Sequence, residues 1–269
     1  MSLRLQSLDL PPTARRYLRD AYVVSGGVEY ALEDRFYAHG ELELVFNVGL
    51  RFHEGDEVTS ARVLGQITRP LPARVSGEGL SLGGTLTPAG AGALLGRSAG
   101  RLGGGHASLR ELGAGAMAAR LTRQLGHGDI DAAAALLPAV FAEADRLRRT
   151  DARHARQLGK ALEVLGDGHS SAAVLAAALG VSPRHLLKLF RERLGLTVSQ
   201  YRRVRRFAGA VARIDRGGFG RLTDLAYASG YADQAHLGRD VRYFAELTPG
   251  QVAAARRPVA SLYTGLGGA

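Results

Sequence analysis

The chain has 269 residues, no cysteine, and 35 Lys and Arg against 25 Asp and Glu, which gives a formal net charge of +10. The absence of cysteine excludes disulfide scaffolds, cysteine-ligated zinc, iron–sulfur clusters and thiol nucleophiles. No apolar run reaches the ~18–20 residues of a membrane span, and the first twenty residues lack a signal-peptide core. We therefore expect a cytoplasmic protein of one large or two ordinary domains that does not enter a membrane.

The N-terminal half predicts strands first and helices afterwards. Strict alternation of Leu42, Leu44, Phe46, Val48 and Leu50 predicts a strand with one buried face. Weaker strand signals lie near 30–37, 59–67, 73–76 and 79–87, and helix signals lie near 89–96, 108–125 and 130–148, with a break at Pro138. The expected fold of residues 1–148 is α+β, a small antiparallel sheet or barrel followed by helices.

The excess positive charge lies almost entirely in the C-terminal half. Residues 1–150 contain 17 basic and 16 acidic residues, whereas residues 151–269 contain 18 basic and 9 acidic residues. The C-terminal half therefore carries a net charge of +9, which is typical of a protein that binds a polyanion, most often nucleic acid. An anionic membrane surface and compositional drift toward arginine are the alternatives at this point.

Two segments of the C-terminal half follow one plan of short helix, glycine turn and second helix. In the first segment Gly180 forms the turn, and Ser182 followed by Pro183 predicts the start of the second helix. In the second segment the turn glycine is Gly230 and the N-cap is Asp233. This is the layout of a helix-turn-helix, in which the second helix enters the DNA major groove.

Helical spacing divides each second helix into an apolar and a polar face. The predicted apolar faces hold Leu186, Leu189 and Phe190 in the first segment and Leu237, Val241 and Phe244 in the second. The predicted polar faces hold Arg184, Lys188 and Arg191, and then Gln234, Ala235, Gly238, Arg239 and Arg242. Arginine and lysine donate to guanine and glutamine pairs with adenine, so both polar faces carry base-reading chemistry. Solvated faces of an ordinary helical domain would explain one such segment, but two in tandem favour DNA binding.

Residues 198–214 predict one long helix between the two segments, capped by Thr197. Its apolar stripe contains Val204, Ala208, Val211 and Ile214, and its polar side contains Arg202, Arg203, Arg205 and Arg206. A length of about 25–28 Å suits two recognition helices one DNA turn apart, ~34 Å. The expected C-terminal domain is all-α, with two helix-turn-helix units joined by this helix.

Residues 151–257 resemble the DNA-binding domain of AraC/XylS-type transcriptional regulators. The resemblance rests on Gly230-Tyr-Ala-Asp-Gln-Ala-His-Leu-Gly-Arg-Asp-Val-Arg-Tyr-Phe-Ala-Glu-Leu-Thr248-Pro249 and on Arg184-His-Leu-Leu-Lys-Leu-Phe190. It implies that the base-contacting residues are Arg184, Lys188, Gln234, Ala235 and Arg239. The residues expected to contact the DNA backbone are Ser182, His185, Arg191, Arg202, Arg205, His236 and Arg242. The sequence departs from the family's usual phenylalanine at Val241 and from its usual ending at Gln251-Val252.

The same resemblance implies a regulatory domain at 1–148, a DNA-binding domain at 151–257 and a C-terminal tail at 258–269. The stretches 41–49, 86–96 and 109–113 are similar to the sensor domains of one AraC subgroup. Besides double-stranded DNA, this leaves RNA polymerase, a small-molecule effector at an unknown site and a second copy of the chain as partners.

Three sets of residues in the N-terminal half are weaker candidate sites: the glycines of Gly90-Ala-Gly92-Ala-Leu-Leu-Gly96, the trio His39, Glu41 and His53, and His106. The glycine spacing is one residue too long for a dinucleotide fingerprint, so packing glycines at a helix start are expected. His39, Glu41 and His53 would be candidate ligands for a metal ion, but they are scattered over polar positions and are expected to lie on the surface. His106 lacks the neighbours of a phosphate-binding loop and is expected to be an ordinary loop residue. We expect no metal and no cofactor.

The sequence predicts a sequence-specific DNA-binding transcriptional regulator that reads two successive major-groove segments and is modulated by its N-terminal domain. The alternative is a non-specific architectural DNA-binding protein whose N-terminal domain assembles oligomers. An enzyme is not expected, because no nucleophile-elbow, zinc-protease or paired-carboxylate motif is present. The cysteine nucleophile of alkyl-transfer proteins that carry an AraC-like domain is also absent.

Overall fold

The computed structural model describes residues 2–54, 57–58, 60–96, 99–148, 152–165, 171–217 and 220–255. The N-terminal half contains β1 (Ser2–Ser7), β2 (Leu18–Phe36), β3 (Glu43–Val48), β4 (Arg51–Glu54), β5 (Glu57–Val58), β6 (Ala61–Leu64), β7 (Leu71–Leu86), α1 (Pro88–Leu95), α2 (Ala99–Leu102), β8 (His106–Ser108), α3 (Gly115–Gly126), α4 (Ile130–Ala135) and α5 (Leu137–Arg148). The C-terminal half contains α6 (Ala152–Leu165), α7 (Ala172–Ala178), α8 (Pro183–Leu194), α9 (Val198–Asp215), α10 (Leu222–Ala228), α11 (Gln234–Ala245) and α12 (Pro249–Ala254).

The strands form one antiparallel sheet in the order β1-β2-β7-β3-β6-β8, with β4 paired to β5 and β7. The sheet is dominated by β2 and β7, which are 19 and 16 residues long and pair along most of their length. Residues 74–76 of β7 also pair with β4, and the register between β2 and β7 shifts between Val28 and Leu32. An antiparallel sheet followed by helices is the fold that the sequence predicts for this half.

Both faces of the sheet are buried, which corrects the prediction of a single buried face. On β3, Leu44 and Phe46 pack into the core beneath the helices, while Val45 and Asn47 face the other side and are buried as well. The second face carries its own apolar cluster, formed by Tyr22, Val24, Val28, Leu50, Phe52 and Val75. Because side chains on β2, β4 and β7 meet in this cluster, it encloses what would otherwise be the open side of the sheet.

The helices α1, α3, α4 and α5 cover the first face of the sheet. Their core includes Leu94, Leu121 and Phe141, and the ring of Phe141 stacks on Tyr17 with centroids 4.5 Å apart. The predicted break at Pro138 is confirmed, since α4 ends at Ala135 and α5 begins at Leu137. In α1, Gly90 and Gly92 are buried, and a Cβ at Gly90 would overlap the carbonyl oxygen of Tyr17. These are packing glycines, as expected.

The helix predicted at 108–125 begins only at Gly115. Residues 106–108 instead form β8, which pairs with β6, so His106 lies in a strand and not in the predicted loop. A tight turn follows, in which Glu111 Oε2 accepts hydrogen bonds from the amide and hydroxyl of Ser108, both at 2.9 Å. These hydrogen bonds lower the pKa of Glu111.

No single helix in the described ranges is long and apolar enough to cross a membrane. The helices α7 and α8 meet the length and composition criteria only as a pair, and they are bent by 99° at their turn.

Candidate DNA-binding surface

The first helix-turn-helix has the caps and turn that the sequence predicts. Gly180 closes α7 with φ of 61°, a conformation that favours glycine. The hydroxyl of Ser182 accepts a hydrogen bond of 3.2 Å from the amide of His185 and so caps α8. Leu186, Leu189 and Phe190 are buried, so the apolar face of α8 points into the protein as predicted.

The second helix-turn-helix repeats this construction. Gly230 has φ of 74°, and Asp233 Oδ1 accepts a hydrogen bond of 2.6 Å from the amide of His236 at the start of α11. The predicted apolar face of Leu237, Val241 and Phe244 is buried. The smaller Val241 is fully buried without loss of the helix, so the departure from the family's phenylalanine is accommodated.

Helix α9 joins the two helix-turn-helix units. Thr197 and Gln200 form a capping box, in which each side chain bonds the backbone amide of the other. Eighteen residues at 1.5 Å per residue give a length of about 27 Å. Val204, Val211 and Ile214 are buried, and Ala208 is half-buried.

All five residues predicted to contact bases are exposed: Arg184, Lys188, Gln234, Ala235 and Arg239. Lys188 lies 3.8 Å from Glu192 in an exposed i,i+4 pair, which adds little stability. The guanidinium groups of Arg184 and Arg239 make no hydrogen bond or ion pair with other residues in the part of the chain that is described. The polar faces of both second helices therefore present uncommitted donors to solvent.

Six of the seven residues predicted to contact the DNA backbone divide into an exposed and a half-buried group. Ser182, Arg191 and Arg242 are exposed, and Arg202 is half-buried. His185 and His236 are also half-buried: the ring of His185 lies 3.3 Å from Gln157 Oε1, and the ring of His236 packs edge-on against Tyr231. Phosphate contacts for these residues stay predictions.

Arg205, the seventh residue predicted to contact the DNA backbone, bonds to the N-terminal half of the chain. Its Nη1 donates to the carboxylate of Glu41 and to the carbonyl of His39, 3.4 Å away. This arginine is held by the N-terminal half because a carboxylate with little solvent access is its nearest acceptor. A phosphate contact for Arg205 stays a prediction, and it would require this guanidinium to leave Glu41.

The second recognition helix carries a buried carboxylate, Asp240, on its inward face, and the sequence pattern did not predict its role. Asp240 is 2% exposed and accepts hydrogen bonds from Arg203 Nε at 3.2 Å and Nη2 at 2.7 Å, while Arg206 Nη2 lies 3.6 Å from its second oxygen. The hydrogen bond to Asp240 raises the pKa of Arg203. The spacing contained a signal for this site, since Asp240 lies three residues after Leu237 and four before Phe244, on the inward face.

Glu41 forms a second ion-pair centre, between the two halves of the chain. It accepts from Arg19 Nη1 at 2.9 Å as well as from Arg205. Burial alone would lower the pKa of Arg19, but the Glu41 and Asp20 carboxylates outweigh it and raise that pKa. Burial raises the pKa of the neighbouring Tyr201 to about 12, and the Glu41 charge adds to this effect.

The weaker candidate sites do not converge in the structure. His39 Nδ1 accepts a hydrogen bond of 3.2 Å from the amide of Glu41, and the side chain of His53 lies outside the described residues. Within the described ranges, no three His, Asp or Glu side chains are placed to hold a metal ion. Burial raises the pKa of the carboxyl of nearby Glu43.

The N-terminal half also carries an open groove of about 870 Å³ between β8 and α3. It is lined mainly by small residues, among them Gly115, Ala116 and Ala119, and also by Arg110 and Arg123. Both arginines are exposed, so the groove has the character of surface rather than of a buried binding site.

Comparison with known proteins supports the assignment of the C-terminal half. Residues 175–255 match the family described as a helix-turn-helix domain. ToxT from Vibrio cholerae O395 is 10% identical, with 94% of this chain and 97% of that chain covered and a TM-score of 0.48. Wild-type ToxT from V. cholerae strain SCE256, bound to an unsaturated fatty acid, is 10% identical, with coverages of 84% and 96% and a TM-score of 0.43. The AraC-like transcriptional activator CuxR is 15% identical, with coverages of 78% and 87% and a TM-score of 0.30. No curated protein matches the sequence.

None of these structures reaches a TM-score of 0.5, so the assignment rests on the family match and on the geometry of the two helix-turn-helix units. Together they define the chain as a DNA-binding protein with a tandem helix-turn-helix region. The matched region is a helix-turn-helix domain, in agreement with the resemblance noted for residues 151–257.

Proposed function

We propose that the protein is a sequence-specific regulator that reads two successive major-groove segments of double-stranded DNA. The observation that carries the proposal is the exposure of all five predicted base-contacting side chains on two helices whose opposite faces are buried. The linking helix α9, about 27 Å long, adds to this support, because with its flanking turns it suits recognition helices one DNA turn apart, ~34 Å.

We further propose that the N-terminal half modulates DNA binding. Contacts from this half reach all three helices that matter for reading DNA: α8 through Arg193, α9 through Arg205 and α11 through Tyr243. A small-molecule effector, a second copy of the chain and RNA polymerase are the partners through which modulation would act. Because the partner is genomic DNA, the proposal places the protein in the cytoplasm. Regulators of this class are typically not enzymes, and the proposal assigns no catalytic step.

Selection of bound sequences from a random duplex library with the full-length protein tests this function. We expect enrichment of a motif with two half-sites about 10 bp apart. The Arg184→Ala variant should lose base preference in one half-site and Arg239→Ala in the other. Arg156→Ala on α6, which makes the same charge change at an exposed position, should keep both half-sites. Binding without enrichment of any sequence would instead support the architectural alternative.

A further inference from the structure

The N-terminal half holds α9 through a segment between β2 and β3. Tyr37 and Ala38 are buried in one apolar cluster with residues of the C-terminal half, and the ring of Tyr37 meets Phe207 edge-on with centroids 6.3 Å apart. Gly40 has φ of 72°, and a Cβ there would lie 3.0 Å from a methyl group of Val204. The backbone of this segment therefore lies directly against α9.

Glu41 adds ion pairs to this contact. Its Oε1 accepts from Arg19 at the start of β2 and from Arg205 on α9, so one carboxylate oxygen joins the two halves. The Glu41 side chain is only 15% exposed, which limits the water available to replace either guanidinium. Arg19 also bonds Asp20 at 3.0 Å, so two arginines face two carboxylates and the cluster is neutral as a whole. Without the charge of Glu41, this cluster would carry a net positive charge.

The recognition helices are held by the same half at their C-terminal ends. On α8, Arg193 is 5% exposed and donates a hydrogen bond of 3.1 Å to the carbonyl of Gly96. On α11, Arg69 donates to the carbonyl of Tyr243 at 3.0 Å and lies over its ring at 4.0 Å. Arg35 reaches the carbonyl of Ala245 at 3.5 Å.

These contacts leave the base-reading ends of both helices uncovered. The predicted base-contacting residues lie in the first two turns of α8 and α11 and are exposed, whereas the contacts to the N-terminal half lie in the last turn. The N-terminal half therefore does not mask the reading surfaces in this arrangement. Its contacts instead constrain how the two reading surfaces lie relative to each other.

We propose that Glu41 is a positioning residue for DNA recognition. By joining Arg19 to Arg205 it holds α9, and with it both recognition helices, in one arrangement on the N-terminal half, and so sets the half-site spacing that the protein accepts. This rests on the proposed function, since a spacing preference requires that two half-sites are read. The DNA helix repeats every 10–10.5 bp, so insertion of one base pair rotates the second half-site away from a fixed reading surface.

The experiment measures affinity of the full-length protein for duplexes that carry the two selected half-sites at separations from about 8 to 13 bp. The wild-type protein should prefer one separation. Glu41→Gln, which keeps the shape of the side chain and removes its charge, should reduce that preference by roughly two- to 150-fold, the range of coupling found within one salt-bridge network. Base preference within each half-site should not change.

Two further variants separate positioning from a general loss of structure. Arg205→Gln should reduce the spacing preference as Glu41→Gln does, and the double variant should add little to either single change, because both remove one link. Glu78→Gln makes the same charge change at an exposed position of the N-terminal half and should behave as wild type.

The outcomes distinguish this inference from the proposed function. A wild-type protein that selects bases but accepts all separations equally would overturn the role of Glu41 and leave sequence-specific binding intact. A Glu41→Gln variant with an unchanged spacing preference, or with equal loss of affinity at every separation, would also overturn it. A wild-type protein without base selection would contradict the proposed function itself.

Discussion

At the scale of single residues, Asp240 shows how one buried carboxylate orients a recognition helix. Its side chain points toward α9, away from the exposed Arg239 on the same helix. Arg203 and Arg206 supply the positive charge that makes burial of this carboxylate tolerable. Removal of one partner from a buried pair is costly because the remaining charges keep their desolvation cost without a counter-charge.

Asp240→Asn should therefore destabilise the protein by about 1–3 kcal/mol, less than for a fully enclosed pair because Arg203 retains access to solvent. Urea unfolding of the full-length protein measures the change. Glu163→Gln, an exposed change of the same kind on α6, should stay within about 0.5 kcal/mol of wild type. Equal stability of the two variants would show that Asp240 does not hold α11.

The neighbouring Arg239 has the opposite role. Its guanidinium is exposed and uncommitted within the described ranges, so Arg239→Ala should leave stability unchanged and relax base preference by ~1–3 kcal/mol at one position of the site. Competition binding with single-base variants of the selected site measures this. Arg242→Ala serves as the contrast, because loss of a phosphate contact should weaken binding to all sequences alike. A uniform loss with Arg239→Ala would remove it from the base-reading residues.

At the scale of elements, the helices of the C-terminal half were predictable because their signals are local. Ser182, Asp233 and Thr197 each cap a helix through a hydrogen bond to a residue three positions later. The strands were harder to predict. Residues 21–24 are all buried, so β2 has no period-two pattern there, and β8 exists only because it pairs with the distant β6. The roles of Glu41 and Arg205 likewise depend on contacts between residues 164 positions apart.

The cap of α9 can be tested as an element-scale prediction. Thr197→Ala removes the hydroxyl that accepts from the Gln200 amide at 3.1 Å and should destabilise the protein by about 1 kcal/mol. Ser199→Ala changes an exposed hydroxyl in the same turn that takes no part in the capping box, and it should have a much smaller effect. Urea unfolding curves of the two variants decide the matter, and coincident curves would contradict the role of the cap.

At the scale of the whole molecule, the two halves approach each other backbone to backbone at α2 and α8. A Cβ on Gly195 would lie 3.0 Å from the Cα of Gly100, and a Cβ on Gly100 would overlap the carbonyl oxygen of Arg191. The end of the first recognition helix is thus located by main-chain atoms, which do not change rotamer. The observed contact between α2 and α8 therefore requires small residues at positions 100 and 195.

Gly100→Ala should force α2 and α8 apart and lower the stability of the full-length protein by about 1–3 kcal/mol, as overpacking does in other closely packed contacts. Thermal unfolding measures the effect. Gly104→Ala is the matched control, since the nearest atom to a Cβ there is the carbonyl oxygen of Gln66 at 3.9 Å. If both variants unfold like wild type, the close approach of the two helices does not exist in solution.

The ion pairs of α9 have a consequence for how DNA binding responds to salt. If every unit of the net charge of +9 on the C-terminal half displaced a counterion from DNA, log K would fall with log salt concentration at a slope of about −8. The net charge of +9 already sets the Asp240 carboxylate against Arg203 and Arg206, whereas Glu41 lies outside the C-terminal half and neutralises Arg205 in addition. The measured slope should therefore be shallower than −8 by roughly 0.9, and Glu41→Gln should remove this difference by freeing Arg205 for a phosphate.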